Sequence, residues 1–234
     1  MTPPPGEPTV SPRPYRSPHR QQQAARTRAA VLASARALFV SRGYTATTVA
    51  DIARDAGVNL DTVYATVGRK PALLREVLET ALSGTDAAVP ADQRDYVRAV
   101  RDARSAADKI AAYVAGLRRL QPRLAPVFLA VRDAGATDRV SAAEWQRIAQ
   151  RRARNMRDFA ADLRATGELR DDLDDDTIAD IIWSMNGPEY WTLLVTDRGW
   201  SPDRYAGYLI DAWERLLLHR PAQSRLEAQS RRET

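Results

Sequence analysis

Apolar side chains recur along nearly the whole chain at the three- and four-residue spacing of a helix, and no stretch of four or more residues alternates as a half-buried strand would. Val31, Leu32, Ala35, Leu38 and Phe39 share one face of a helix predicted over 21–41, which Gly43 ends. Leu73, Leu74, Val77, Leu78 and Leu82 make the stripe of another, opened by Pro71. Beyond Gly84 the pattern predicts helices at roughly 92–103, 106–120, 123–134, 139–166, 175–196 and 203–219. Pro90, Pro122, a turn at Gly135, Gly167, Gly199 and Pro202 punctuate them, and Gly187-Pro188 should kink or interrupt the penultimate one. The fold class expected is all-α, without a sheet.

Between the first and fourth of these helices lies "TTVADIARDAGVNLDTVYATVGRK", residues 47–70. Thr48 followed by Asp51 is a capping-box-like helix start, with Val49, Ile52, Ala53 and Ala56 as the apolar face. Gly57 permits a sharp turn, Asn59 can cap the next helix, and Val63 and Val67 would pack inward. Two short helices around such a turn fit a helix-turn-helix whose second helix enters a DNA major groove. They fit an ordinary helical hairpin equally well.

Charge separates the two readings. The net +5 is confined to residues 1–80, which hold 11 Lys and Arg against 6 Asp and Glu, while residues 81–234 hold 24 of each sign. No acid occurs between Pro8 and Ala50, where Arg13, Arg16, Arg20, Arg26, Arg28, Arg36 and Arg42 all stand. A segregated basic excess beside a helix-turn-helix pattern points to a polyanion. Residues 1–20 carry seven of the 14 prolines and few apolar side chains, as a disordered arm does.

Other chemistry is poorly provided for. There is no cysteine, and His19 and His219 are the only imidazoles. No Gly-rich phosphate loop, nucleophile elbow or metal-ligand cluster is present, so no catalytic residue, metal site or cofactor is expected. The "DDLDDD" run at 171–176 lacks the glycine and glutamate of a calcium loop and reads as an acidic cap for the following helix. Arg147, Arg151 and Arg154 share one face and read as solvated. Without a signal-peptide core or a run near ~18 apolar residues, a soluble cytoplasmic protein with no membrane partner is expected.

The segment from about Arg26 to Leu82 resembles the DNA-binding domain of TetR-type (tetracycline-repressor-like) transcriptional regulators. The resemblance rests on the "LF" helix and following Gly-Tyr, "TTV..IA..AGV", the "TVY" helix and the lysine before helix four. It implies a DNA-binding domain over 21–83 with its helix-turn-helix at about 49–68. A fourth helix then leads to a larger helical ligand-binding and dimerisation domain over 84–220, and a flexible tail covers 221–234. Carried over by position, Thr48, Tyr64 and Lys70 match phosphate-contacting places, and Arg69 adds charge beside them. Leu60, Asp61, Thr62 and Ala65 match groove-facing places, where Asp61 would accept from cytosine N4 or simply favour the helix N-terminus. Ala65, Thr66 and Val67 replace the bulkier aromatic or histidine residues of the pattern, leaving a small reading surface.

The partners implied are double-stranded operator DNA, a small-molecule inducer and a second copy of the chain. All five tryptophans lie in the neutral two thirds. Trp145, Met156, Phe159, Trp183 and Tyr190 are candidates to line an inducer pocket, and Trp183 and Trp213 suit a dimer interface equally. The expected function is a ligand-responsive repressor that binds a palindromic operator as a homodimer. Its alternatives are a non-specific DNA-coating protein and an all-α enzyme with an unrecognised carboxylate site.

Overall fold

A computed structural model describes residues 18–83 and 89–219. Most of the N-terminal arm, the tail from residue 220 and residues 84–88 lie outside the described residues. Ten α-helices appear among the described residues: α1 (Pro18–Arg42), α2 (Val49–Asp55), α3 (Leu60–Thr66), α4 (Lys70–Ser83), α5 (Asp95–Asp102), α6 (Ala106–Gly135), α7 (Arg139–Arg164), α8 (Asp175–Met185), α9 (Pro188–Trp191) and α10 (Pro202–Leu217). A turn of π-helix, Thr192–Asp197, follows α9. The described residues contain no strand, only an isolated antiparallel bridge between Leu169 and Leu218.

The first helix starts at Pro18 rather than at residue 21, because proline suits a first helical turn whose N–H groups have no partner anyway. All five apolar residues assigned to its face are buried. Gly43 adopts φ 84°, the left-handed turn that stops a helix. The buried Thr47 hydroxyl secures that stop, lying 2.8 Å from the Gly43 carbonyl and 3.1 Å from that of Leu38.

Two buried clusters organise the molecule. The first gathers Val31, Phe39, Ile52, Val63, Leu73 and Leu74 from α1 to α4 and is completed by Leu120, Leu124, Val127, Phe128, Val131 and Ile148 from α6 and α7. The second packs the start of α6 with α7, α8 and α10, around Ile110, Val114, Leu163, Ile178, Leu209 and Trp213. Trp213 is wholly buried within the subunit, so the interface role considered for it is closed to that side chain.

The largest departure from the sequence pattern is α6. Two helices broken at Pro122 were expected, yet one helix of 30 residues runs through both Pro122 and Pro126. Each proline removes one backbone hydrogen bond and strains the preceding turn. Flanking residues Leu117, Leu120, Gln121, Leu124, Ala125, Val127 and Phe128 are all buried, and that packing holds the helix together. The Gly187-Pro188 break occurs as expected: α8 ends at Met185 and α9 starts at Pro188.

Candidate nucleic-acid interface and inner cavity

The helix-turn-helix forms from local signals. Thr48 and Asp51 make the full capping box: the Asp51 amide donates to the Thr48 hydroxyl at 3.1 Å and the Thr48 amide to the Asp51 carboxylate at 3.1 Å, while the Thr48 hydroxyl also donates to that carboxylate at 2.6 Å. These bonds, led by the Thr48 side chain, hold the Asp51 carboxyl below its usual range. Gly57 turns the chain at φ 65°. A Cβ there would meet no atom within 4 Å, so conformation, not space, calls for glycine. Asn59 occupies the cap position of α3, but its side chain makes no capping bond.

Val63 is fully buried and fixes which way α3 faces. Leu60, Asp61, Tyr64 and Ala65 then lie outward, with Leu60 39% and Tyr64 45% exposed. Thr62 and Thr66 are half-buried. The far end of α3 is stitched by Arg28 of α1, which donates to the Thr66 carbonyl at 2.8 Å and pairs with Glu76 of α4 at 2.7 Å. One arginine of the acid-free stretch thus has a structural role that the charge pattern concealed. Arg20, Arg26, Arg42 and Arg69 are exposed.

Lys70 opens α4 half-buried. Its ammonium donates to the Thr45 carbonyl at 3.0 Å and sits 4.5 Å from the Tyr44 ring centre. Burial lowers its pKa, opposed by the field of Asp138. The Tyr44 phenol is pushed up to about 12, chiefly by burial. Thr45 precedes the start of α2, so Lys70 ties two helix N-termini to one corner. The Thr48 hydroxyl has its hydrogen engaged by Asp51 and would have to release it to donate to a phosphate.

A cavity of about 440 Å³ lies inside the C-terminal helices, walled by α4, the 89–96 segment, α6, α7 and the α8–α9 junction. Leu82, Leu117, Leu120, Leu124, Phe128 and Met156 give it an apolar lining. Its polar lining includes Glu79, Arg94, Tyr113, Gln121, Arg151, Arg152 and Asn186. Asn186 is the hub. Its amide donates to the Tyr113 hydroxyl at 2.9 Å and accepts from Arg152 at 2.7 Å, while its backbone carbonyl accepts from Gln121 at 2.7 Å. Burial pushes the Tyr113 phenol well up. Glu79, from α4, pairs with Arg94 at 2.8 Å and Arg151 at 2.6 Å, joining three wall elements.

Of the five pocket candidates, Met156 lines this cavity. Phe159 sits one layer behind, stacked on Tyr113 with ring centres 4.7 Å apart. Trp145 packs against Phe128, Trp183 lies under the Arg152 guanidinium, and Tyr190 bonds to the Tyr208 hydroxyl at 3.0 Å. Arg151, read from the pattern as solvated, keeps 41% of its side chain exposed while pairing with Glu79 at the cavity edge, and Arg147 pairs with Glu144 on the outside. Tyr113, Gln121, Arg152 and Asn186 had only one sequence signal: the Gly187-Pro188 break beside Asn186.

Residues 31–77 match the sequence profile of the family described as "Bacterial regulatory proteins, tetR family". None of the curated proteins matches the chain. Among solved structures, the fold is similar to the SmeT–triclosan complex at 21% identity, covering 82% of this chain and 92% of that one, with a TM-score of 0.65. It is similar to NalD, the secondary repressor of the MexAB-OprM multidrug efflux pump in Pseudomonas aeruginosa, at 18% identity over 84% and 98%, with a TM-score of 0.63. A protein from Rhodococcus sp. described as a TetR-family transcriptional regulator aligns at 19% identity over 83% and 100%, with a TM-score of 0.62.

Proposed function

We infer that this chain, whose residues 31–77 match the profile of the tetR-family bacterial regulatory proteins, is a ligand-responsive repressor that holds a palindromic operator as a homodimer. The observation carrying this reading is α3. A short helix with Leu60, Asp61, Tyr64 and Ala65 outward is clamped at its far end by Arg28 and flanked by Arg69 and Lys70. Phosphate contacts supply most of the affinity and fix register, so the reading face itself need not be basic. Thr48, Tyr64, Arg69 and Lys70 would take phosphates, while Leu60, Asp61, Thr62 and Ala65 face bases, with Thr66 at the edge.

Release requires a second site coupled to the first. The cavity suits that role because α4 contributes both Lys70, at the DNA end, and Glu79 and Leu82, in the cavity wall. Triclosan in SmeT is a precedent for a ligand-holding protein of this fold. Leu193, Tyr208 and Leu216 stand exposed near the chain's last helices and offer apolar surface to a second copy. Two reading helices related by a two-fold axis would meet half-sites about 34–36 Å apart or somewhat more.

Selection of bound fragments from random DNA, followed by footprinting, tests this. The expected product is an inverted repeat protected as a discrete site. Uniform protection without a site would establish the coating protein instead, and a single unrepeated motif would remove the dimer.

A further inference from the structure

We propose that the cavity takes an organic anion with an apolar body, its acid group seated against the Arg152 guanidinium and the Tyr113 hydroxyl. This rests on the reading of the cavity as the ligand site and adds the ligand's chemical class.

Charge balance is the first support. The lining holds three cations, Arg94, Arg151 and Arg152, against a lone carboxylate, Glu79. Glu79 is already engaged by Arg94 at 2.8 Å and Arg151 at 2.6 Å. Arg152 therefore faces the cavity without a carboxylate partner among the described residues. Glu189, whose field reaches it, is held by Arg132 at 3.2 Å.

The partners Arg152 does have are neutral. Its Nη2 donates to the Asn186 side-chain oxygen at 2.7 Å and to the Trp183 carbonyl at 3.2 Å, and the guanidinium lies 5.1 Å from the Trp183 ring centre. The Trp183 carbonyl belongs to the last turn of α8, where the helix dipole offsets only part of a full charge. Nε and Nη1 have no hydrogen-bond partner among the described residues. A cation withdrawn from water normally finds an anion, and Nε and Nη1, each with an unused N–H, can give a carboxylate a single charge-assisted hydrogen bond.

Tyr113 is the second support. Its oxygen accepts from Asn186, but its own O–H has only the Met156 thioether, 3.5 Å away and a weak acceptor. The Asn186 amide bonds to both Arg152 and Tyr113, which places the two unspent donors on either side of one small group. The apolar lining would hold the body of the ligand and exclude a small hydrated ion.

Titration calorimetry on the full chain decides the matter with three probes of one shape: 4-phenylbutyrate, 4-phenylbutyramide and 4-phenylbutylammonium. The carboxylate is expected to bind at least about tenfold tighter than the amide, a difference of ~1.4 kcal/mol, with the ammonium weakest. Arg152→Met should bring carboxylate and amide together, and Arg152→Lys should keep part of the preference because the charge survives although the planar donors are lost. Equal binding of amide and carboxylate to the unaltered protein would overturn the proposal, as would tighter binding of the ammonium. So would a persisting preference in Arg152→Met, which would leave Arg152 as a cap for α8 alone. If the substitutions prevent folding, the probe series on the unaltered protein still decides. If none of the three probes binds, the ligand-site reading falls and this proposal falls with it, whereas binding without charge preference overturns this proposal alone.

Discussion

Asp61 stands exposed in the first turn of α3 with no side-chain partner among the described residues, beside a leucine that is also exposed. An acid there is favoured by the helix dipole and, facing a groove, accepts from a cytosine amino group. The two roles separate experimentally. Asp61→Ala should relax preference at one position per half-site, at a cost of roughly 1–3 kcal/mol for the preferred base, if the carboxylate reads DNA. Binding-site selection repeated with the variant checks it, and an unchanged preference with a less stable helix assigns Asp61 to the dipole. Lys70 should behave differently, because a phosphate contact carries no sequence information. For Lys70→Ala, affinity should fall alike for all sequences and the slope of log affinity against log salt should drop by about 1 per subunit. A shifted sequence preference would make Lys70 a base reader. Side chains with local partners, Thr48 and Asp51 above all, were legible in the sequence because a capping box spans only four residues. Arg28 was not, since its partners at Thr66 and Glu76 are brought to it by the fold.

Helix boundaries followed the sequence wherever a local signal dominates. The breaks at Gly43, Gly57, Gly167 and Gly199, all left-handed, and the one at Gly187-Pro188 fell where expected. Through Pro122 and Pro126 the local signal lost to tertiary packing, and α6 continues. The cavity was the least legible feature because residues far apart, from Glu79 to Asn186, converge on it and its polar members look like surface residues in a linear pattern. Capping also gives one helix a titratable start. Asp138 accepts from the side chain and amide of Ser141 at the N-terminus of α7, and those bonds hold its carboxyl below the usual range, helped by the field of Lys70. A carboxyl depressed in the folded state stabilises it above the unfolded pKa of about 3.9 and loses that contribution as pH falls through the folded value. Asp138→Asn should therefore lower Tm at pH 7, and the gap from the unaltered protein should shrink in the acid range below the unfolded pKa. Thermal melts at the two pH values check this, and a gap independent of pH would mean that the charge contributes nothing.

At the scale of the whole molecule, α6 belongs to both buried clusters. Its first half, with Ile110 and Val114, lies in one, and its second half, with Leu124, Val127, Phe128 and Val131, closes the other against α1 and α4. At about 1.5 Å per residue it is a strut roughly 45 Å long. Burial of a large apolar side chain stabilises by roughly 1.5–3 kcal/mol, so the share of the first cluster supplied by α6 is on the order of 10 kcal/mol. That is comparable with the ~5–15 kcal/mol by which a typical domain is stable at all. Calorimetry of the full chain should show one unfolding transition, and a fragment ending at Ser83 should lack cooperative melting. Two separate transitions, or a fragment that melts sharply, would assign the reading head a core of its own. The practical consequence is for chimeras. Residues 18–83 grafted onto a foreign sensor would arrive with an uncovered apolar underside. A working hybrid has to bring the Leu120–Val131 surface with the graft or offer the head a helix of matching shape.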